Sequence, residues 1–412
     1  MDIEVSTVKA IEIVKGVYWV GAIDWNIRDY HGYTLPGTTY NAYLIVGDKI
    51  ALIDSAYPGF DNQIIERVRS VVDPKKIDYL IANHVEKDHS GTLPALTKML
   101  PGVPIYCTAN GKTGFSKHYD TKDWNFNIVK SGDTLSLGKG KTLAFLEAPM
   151  LHWPDSMFTY LAEEKILFPN DAFGQHIATS ERFDDQLGKE ESLKQAQKFF
   201  GNLIIPLAPR VLKKLEEVGK LGIEIKMIAP SHGVIWRSYA GDIVNSYVNW
   251  SKGVSKNKVT IVYDTMHGST DAMAKAFAEG IMEEGVEVKV CLLKDGKAEG
   301  THRSNIVPEV LDSKAILVGS PTLQNQMYPT VADFLSYLKG LDPGKLGQKK
   351  LGFAFGSHGG HGGTIKLISA DLKTAGIDVI NDGFEVYYKP DEKELQRCTE
   401  MGRELAMRVK SL

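Results

Sequence analysis

The 412-residue sequence predicts two α/β parts in one chain: strands layered with helices, followed by a doubly wound parallel sheet. Between about residues 10 and 250, short β-rich runs are broken by glycine and proline turns and separated by amphipathic stretches such as QIIERVRSVV. Beyond about residue 258, apolar strands alternate strictly with amphipathic helices, which is typical of a parallel sheet covered on both faces. The polar segment NWSKGVSKNK separates the two patterns.

This change of pattern predicts a domain boundary near residue 254, and hence domains of residues 1–254 and 255–412. The predicted strands of the first domain are GVYWVGA, NAYLIVGD, IALIDSA, YLIANH, PIYCTA, TLAFLEAP, KILFPND and MIAPSHG. Those of the second are KVTIVYD, VEVKVCLL, KAILVGSP, KKLGFAFGS and IDVINDGFEVYY, with helices near 271–285, 330–341 and 364–376 between them.

Composition excludes several classes of function. The formal charge is only −3 and the basic residues are scattered, so neither a nucleic-acid partner nor an anionic membrane surface is indicated. No apolar stretch reaches the roughly 18 residues of a spanning helix, and the N-terminus lacks a signal-peptide pattern, so we expect a cytoplasmic protein. The three cysteines form no CxxC pair, which argues for buried thiols over a thiolate metal site or a disulfide framework.

The stretch NHVEKDHSG and three later strand ends carry residues of the kind that bind metals. The candidates are His84, Glu86, Asp88, His89, His152, Asp171 and His232. One tetrahedral ion needs about four ligands, so seven candidates predict two ions that share a carboxylate. Imidazole and carboxylate donors without thiolate leave iron, manganese or zinc.

The second domain contains a candidate anion site in YDTMHGSTDAMAKAFAEGI, where a hydroxyl-rich loop joins a strand to a helix N-terminus. Its residues are Thr265, Met266, His267, Gly268, Ser269 and Thr270. Two further loops follow apolar strands at the same edge of the sheet, where doubly wound sheets bind ligands. Their candidates are Ser320, Pro321, Thr322, Leu323, Asn325, Gly356, Ser357, His358, Gly359, Gly360 and Gly362. The three loops resemble those of the flavodoxin family, which implies FMN as the cofactor.

The metal candidates resemble the metallo-β-lactamase superfamily, whose H-x-H-x-D-H signature here carries Glu86 as its second ligand. Joined to a flavodoxin-like half, this pattern resembles the flavodiiron proteins of the minimal two-domain class, and it implies an N-terminal metallo-β-lactamase-like αββα sandwich. By that resemblance one set of residues holds one iron, a second set holds the other, and Asp171 bridges the two. The sets are His84, Glu86 and His152, and Asp88, His89 and His232.

The resemblance also implies an activity, which is the four-electron reduction of dioxygen to water as oxygen detoxification in an anaerobe. Two ferrous ions and a reduced flavin supply four electrons, and the same centre can couple two nitric oxide molecules to nitrous oxide. The family further implies a head-to-tail homodimer, or a dimer of dimers. His31 and His176 are candidates for orienting ligands or delivering protons.

The electron donor follows from departures around the flavin. Positions at which family members carry aromatic residues here hold His267, His358 and Gly360, which indicates a more open flavin face. This feature, with the likeness of TMHGST and HVEKDHSG to methanogen members, favours the reduced deazaflavin coenzyme F-420 over rubredoxin as donor. The alternatives are a rubredoxin-fed reductase of oxygen or nitric oxide, a binuclear zinc hydrolase with an accessory flavodoxin domain, and a non-catalytic electron shuttle.

Overall fold

The computed structural model describes residues 8–294 and 300–412. Packing divides the chain into two compact units. The first comprises the residues before His31 together with Leu35–Phe199 and Lys213–Asn245, and the second comprises His31–Thr34, Phe200–Leu212 and the residues from Ser246 onward. The domain boundary near residue 254 stays a prediction.

The elements up to residue 251 are short, as the sequence predicts. The strands are β1 (Ile11–Val14), β2 (Val17–Trp19), β3 (Ala22–Asp24), β4 (Asp29–Tyr30), β5 (Tyr33–Thr34), β6 (Thr38–Tyr40), β7 (Tyr43–Val46), β8 (Ile50–Ile53), β9 (Tyr79–Ile81), β10 (Pro104–Cys107), β11 (Asn125–Ile128), β12 (Thr134–Gly138), β13 (Lys141–Glu147), β14 (Met157–Leu161), β15 (Ile166–Phe168) and β16 (Met227–Ile228). The helices are α1 (Asp61–Arg69), α2 (Lys87–Ser90), α3 (Leu93–Met99), α4 (Ala109–His118), α5 (Asp184–Leu187), α6 (Lys189–Phe199), α7 (Ala208–Lys220) and α8 (Ala240–Ser251).

Two sheets of the first unit pack face to face. Their strand orders are β1-β2-β7-β8-β9-β10-β11 and β12-β13-β14-β15-β16. Apolar side chains of both sheets form one buried cluster, in which the rings of Tyr43 and Phe168 lie 5.0 Å apart. The other face of the first sheet is covered by helices α1, α3 and α4, which contribute Ile64, Leu96 and Phe115 to a second cluster. This sandwich brings loops from both sheets into one unit, as the predicted architecture requires.

The elements from residue 256 onward alternate strand with helix. The strands are β17 (Lys256–Tyr263), β18 (Glu287–Leu292), β19 (Ser313–Leu323), β20 (Gln326–Met327), β21 (Leu351–His358), β22 (Asp378–Val379) and β23 (Phe384–Tyr387). The helices are α9 (Ser269–Glu283), α10 (Arg303–Asp312), α11 (Pro329–Leu341), α12 (Thr364–Thr374) and α13 (Glu392–Ser411).

The sheet of the second unit has the order β18-β17-β19-β21-β22, and each of these neighbouring pairs is parallel. Apolar residues of α9 and α13 cover one face, and those of α10, α11 and α12 cover the other. Burial on both faces explains the near-continuous apolar runs of β17 and β19. The predicted doubly wound sheet is therefore present.

Helix α9 begins two residues earlier than the predicted start at residue 271. Its N-cap is Gly268, whose φ of 86° lies in the left-handed region that glycine adopts without strain. The turn at Gly268 thus places the hydroxyl-bearing residue Ser269 in the first turn of the helix.

Cys107, Cys291 and Cys398 are free and buried, which confirms the prediction of buried thiols. Burial raises the pKa of each thiol to about 12, so these groups stay protonated and unreactive. Over residues 8–294 and 300–412, we find no helix with the length and apolar character needed to cross a membrane.

Candidate metal centre and predicted flavin pocket

The predicted metal ligands lie in loops that follow strands of both sheets of the first unit. His84 and Glu86 follow β9 of the first sheet. The ligands contributed by the second sheet follow β13, β15 and β16 and are His152, Asp171 and His232. Because a strand end is held by the sheet while the next residues are free to turn, such loops fix side chains without burying their backbone in the core.

The chain turns sharply inside the first motif. Glu86 is the N-cap of the four-residue helix α2, which carries Asp88 and His89. This short helix turns Asp88 and His89 away from His84 and Glu86, toward His232. All four side chains are buried.

The seven candidates form two compact clusters, in each of which the potential ligand atoms lie within 4.8 Å of one another. The first cluster consists of His84, Glu86, His152 and Asp171. The second consists of Asp88, His89 and His232. Apart from Asp171, the two clusters contain the same residues as the two sets that the family resemblance implies, and their roles as ligands stay a prediction.

Asp171 faces both clusters, with one carboxylate oxygen directed toward each. Its Oδ2 lies 3.6 Å from His84 Nε2 and 3.3 Å from His152 Nε2. Its Oδ1 lies 2.9 Å from His89 Nε2 and 3.4 Å from His232 Nε2. A carboxylate in this position can bind two cations at once, which is the role predicted for Asp171.

The donor atoms suit cations. Several buried atoms make no hydrogen bond of normal geometry with any described residue, although pairs of them approach one another at 3.3–3.6 Å. They are His84 Nε2, Asp88 Oδ1 and Oδ2, His89 Nε2 and Asp171 Oδ2. Ligand atoms bound to one ion at about 2.1 Å are separated by about 3 to 3.5 Å. Because buried polar atoms without partners are costly, this spacing indicates that the atoms are arranged for metal ions.

The clustered histidines and carboxylates also shift one another's pKa values. Burial lowers the pKa of His89 and His152, but the neighbouring carboxylates outweigh this effect and raise the pKa of each to about 9. Burial tends to raise the pKa of Asp171, yet the charge of His89 and the hydrogen bonds from both histidines hold it well below the usual range. A cation must therefore displace protons from the histidines in order to bind.

Polar groups behind the clusters orient the imidazoles. His232 Nδ1 lies 2.6 Å from the carbonyl oxygen of Thr39, and His84 Nδ1 lies 2.9 Å from Asp155 Oδ2. Each contact leaves Nε2 directed toward its cluster. The sequence reasoning missed Asp155, although its place three residues after His152 in LHWPDS is a signal that could have found it.

Tyr30 and His176 lie beside the clusters. The Tyr30 hydroxyl is 3.5 Å from Glu86 Oε1, and its ring meets the ring of His176 edge to face at 5.9 Å. His176 Nδ1 is 2.7 Å from Thr38 Oγ1, and its ring is 4.3 Å from that of His232. These contacts place His176 beside a candidate ligand, so its predicted role in orienting ligands or delivering protons stays a prediction. His31 is exposed and belongs to the second unit, and its predicted role stays a prediction.

The second unit contains a cavity of about 470 Å³ at the carboxyl edge of its sheet, which we call the flavin pocket. All three predicted loops line it. The predicted residues in the lining are Thr265, Met266, His267, Ser269, Pro321, Thr322, Ser357, His358 and Gly359.

The other predicted residues lie outside the lining, and two of them form hydrogen bonds or close contacts that hold the loops in position. Thr270 Oγ1 is 3.3 Å from Ser357 Oγ, which connects the first loop to the third. Ser320 Oγ accepts a hydrogen bond from the backbone N–H of Tyr328 and thereby fixes the second loop. The remaining residues of this group are Gly268, Leu323, Asn325, Gly356, Gly360 and Gly362.

The first loop fits an anionic group such as phosphate. It leads into the N-terminus of α9, where unpaired backbone N–H groups and the helix dipole favour negative charge. A Cβ at Gly268 would meet no heavy atom within 4 Å, so the approach to the loop is open. Buried Asp264 anchors the loop, because it accepts hydrogen bonds from the N–H groups of Thr265 and Lys294.

Two lining residues were not predicted, Tyr388 and Lys389, which follow strand β23. Tyr388 packs against its neighbour Tyr387 at a ring separation of 4.1 Å, and its N–H donates to the carbonyl oxygen of His358. The sequence reasoning sought aromatic residues only in the three loops. Tyr388 adds an aromatic side chain to the lining from the segment that follows β23, and the openness of the flavin face stays a prediction.

Two family models match the chain, one on each part. Residues 38–233 match the ODP family beta lactamase, and residues 261–402 match the flavodoxin family. The metal clusters fall within the first match, and the loops of the flavin pocket fall within the second. These matches confirm the predicted pairing of a metallo-β-lactamase-like fold with a flavodoxin-like fold.

Curated relatives match over nearly the whole chain. A coenzyme F-420H2 oxidase of Methanocaldococcus jannaschii is 50% identical, with 97% of each chain covered. A nitric oxide reductase of Moorella thermoacetica is 46% identical, with 97% of this chain and 98% of the relative covered.

Solved structures agree with these relatives. The rubredoxin oxygen:oxidoreductase of the anaerobe Desulfovibrio gigas is 40% identical, with a TM-score of 0.93 over 98% of this chain and 99% of that chain. The flavodiiron protein of Giardia intestinalis is 33% identical, with a TM-score of 0.92 over 98% and 97%. The chain is thus a two-part oxidoreductase with a lactamase-like metal domain and a flavodoxin domain. It belongs to the flavodiiron family.

Proposed function

We propose that the chain reduces dioxygen to water at a non-haem di-iron centre that receives electrons from FMN, with the reduced deazaflavin coenzyme F-420 as donor. The observation that carries this proposal is the position of Asp171, whose two oxygens face separate ligand clusters in a chain that also has a flavin pocket. A metal pair alone is compatible with hydrolysis, whereas a metal pair together with a flavin pocket favours electron transfer.

The proposed iron ligands are the two clusters. His84, Glu86 and His152 hold one ion, and the other is held by Asp88, His89 and His232. Asp171 is the ligand that both ions share. Glu86 adds a carboxylate where a zinc hydrolase of the same superfamily has histidine, and this harder, more anionic donor set suits iron.

FMN is the proposed occupant of the flavin pocket. Its phosphate binds at the N-terminus of α9, where Thr265 and Ser269 supply hydroxyl groups. The hydroxyls of Thr322 and Thr364, 2.6 Å apart, hold the second loop against the helix that follows the third. Tyr388 offers an aromatic surface to the flavin ring.

When bound, two iron ions and FMN supply the four electrons that convert dioxygen to two waters. The side chains provide geometry, charge and protons. Burial and the charges of Asp88 and Glu86 raise the pKa of Tyr30 far above its usual value, so its hydroxyl keeps its proton at neutral pH. We assign to this hydroxyl, 3.5 Å from Glu86 Oε1, the role of holding a proton beside the centre.

Cofactor analysis of the purified chain tests the class of function. We expect two iron ions and one FMN per chain, and we expect iron but not zinc to restore oxygen reduction after chelation. Two zinc ions with esterase or lactonase activity would favour the hydrolase, and FMN without metal would favour the electron shuttle. Either result would contradict the proposal.

The identity of the donor rests on the 50% identical relative, which is named for oxidation of reduced coenzyme F-420. The more open flavin face predicted from the sequence favours the same donor, and Tyr388 adds one aromatic residue to the lining of that pocket. The structural neighbour named for rubredoxin keeps the rubredoxin-fed enzyme as the alternative.

Stopped-flow mixing distinguishes the two donors. Reduced deazaflavin is expected to bleach the FMN absorbance within the turnover time under anaerobic conditions, whereas reduced rubredoxin bleaches it more slowly. If rubredoxin reduces the FMN and the deazaflavin leaves it oxidised, the donor assignment is wrong while the di-iron proposal stands.

Nitric oxide is a second candidate substrate, because a relative of 46% identity is a nitric oxide reductase.

The proposal also includes two predictions that sequence reasoning made, a homodimer and a cytoplasmic location. Electrons pass efficiently only between cofactors that lie close together. A dimer that brings the cofactors of two chains together would meet this requirement, and this is the physical reason to expect one.

A further inference from the structure

Asp155 is a buried carboxylate, 5% exposed, that contacts one candidate metal ligand directly. Its Oδ2 accepts a hydrogen bond from the backbone N–H of Val85 at 2.7 Å and lies 2.9 Å from His84 Nδ1. The hydroxyl of Thr108 donates to the backbone carbonyl of Asp155 at 2.9 Å. Thr108 therefore holds the backbone of Asp155, and the N–H of Val85 holds its carboxylate.

This contact fixes which ring nitrogen of His84 carries the proton. A carboxylate that accepts from Nδ1 places the imidazole proton on that atom and leaves the Nε2 lone pair for a metal ion. Nε2 then lies 3.4 Å from Glu86 Oε2, and Trp153 packs edge-on against the ring at 5.2 Å, which limits its rotation. The negative charge behind the ring also makes Nε2 a stronger donor.

The second cluster has no equivalent contact among the described residues. His232 Nδ1 contacts the neutral carbonyl oxygen of Thr39, and His89 Nδ1 is buried without a hydrogen-bond partner in the described chain. Asp54 lies near His89, but its oxygens accept hydrogen bonds from Asn83 and Asn170 instead.

We propose that Asp155 makes the two metal positions unequal, because it acts through His84 to strengthen metal binding at the cluster of Glu86 and His152. The shared ligand Asp171 serves both positions and cannot distinguish them. Asp155 is a positioning residue, since it contacts a ligand and not the ion. The inference rests on the proposed function, in that it requires both clusters to bind metal.

Metal release from the unsubstituted holoprotein is the first test. With isotope-enriched iron, an anaerobic titration with a chelator is expected to remove the two ions in two separate steps, which Mössbauer spectra resolve as the successive loss of two signals. Release of both ions in a single step would overturn the inference. A holoprotein that binds fewer than two metal ions would instead contradict the proposed function on which the inference rests.

The substitution Asp155→Asn keeps the size of the side chain and removes its charge. We expect the later release step to occur at a chelator concentration roughly 10- to 100-fold lower, as for other residues that orient metal ligands, and the earlier step to stay in place. An unchanged later step, or an equal shift of both steps, would overturn the inference. If this variant does not fold, the chelator titration of the unsubstituted protein decides whether the two metal positions are unequal.

Asp184→Asn is the matched control. Asp184 is also fully buried in the first unit, and its carboxylate accepts backbone hydrogen bonds from Ser238 and Tyr239. The substitution removes a buried negative charge that is not in contact with any candidate ligand. We expect both release steps to stay in place, and a shift like that of Asp155→Asn would assign the effect to general destabilisation and overturn the inference.

Discussion

Replacing Asp171 with alanine is expected to lower dioxygen turnover by more than about 100-fold while FMN stays bound. The loss should exceed the 10- to 100-fold range found for residues that only orient metal ligands, because Asp171 faces both clusters. The measurement is oxygen consumption with excess donor, together with the iron and FMN content of the purified variant.

Asp242→Ala is the control for this substitution. Asp242 is a half-exposed carboxylate of the same unit that pairs with Lys189, so its removal should leave turnover and iron content unchanged. An Asp171→Ala variant that keeps full turnover and two iron ions would show that Asp171 is not the shared ligand.

The double substitution Ser269→Ala with Thr270→Ala is expected to weaken FMN binding by about 10- to 100-fold and to leave the iron content unchanged. Ser269 lines the flavin pocket, and a hydrogen bond to a charged phosphate contributes about 1.5 to 3 kcal/mol. Thr270 acts behind the lining, where its hydroxyl contacts that of Ser357. Fluorescence titration of the apoprotein with FMN measures the change.

A second double variant, Thr374→Ala with Ser411→Ala, controls for the loss of two hydroxyl groups in the same unit. Both of these hydroxyls donate to exposed backbone carbonyls on helices α12 and α13, outside the pocket lining. FMN affinity should be unchanged in this control. Equal FMN affinity in both double variants would place the phosphate elsewhere.

The fold was predictable because its periodic patterns are local. Strand β19 is an apolar run long enough to identify without neighbours, and α9 repeats apolar residues at helical spacing through Met273, Phe277 and Ile281. Helix α9 begins at Ser269, two residues before the predicted start, because the left-handed turn at Gly268 lets the helix begin directly after it.

The metal candidates were also predictable, since their residue types and order are unusual and most of them follow strands. What the sequence could not provide is which oxygen of Asp171 faces which cluster. It also could not show that helix α2 turns Asp88 and His89 toward His232. Both facts depend on atoms placed by segments far apart in the chain.

The residues that sequence reasoning missed share one property. Asp155, Asp264 and Tyr388 belong to no recognisable motif: Asp155 contacts His84, Asp264 accepts a hydrogen bond from the first loop, and Tyr388 lines the pocket from the segment after β23. Single carboxylates and tyrosines are common in any sequence, so only their contacts distinguish them.

The sequence by itself determined the two-part architecture, the family resemblance and the residue types of both sites, because these depend on periodicity and on motifs of adjacent residues. The tertiary structure alone decided which oxygen of Asp171 faces each cluster of candidate ligands. It also decided that His84 has a carboxylate behind it whereas His232 has a carbonyl. Distances of a few ångströms set charge and hydrogen bonding, and such distances between remote segments arise only when the sheets pack.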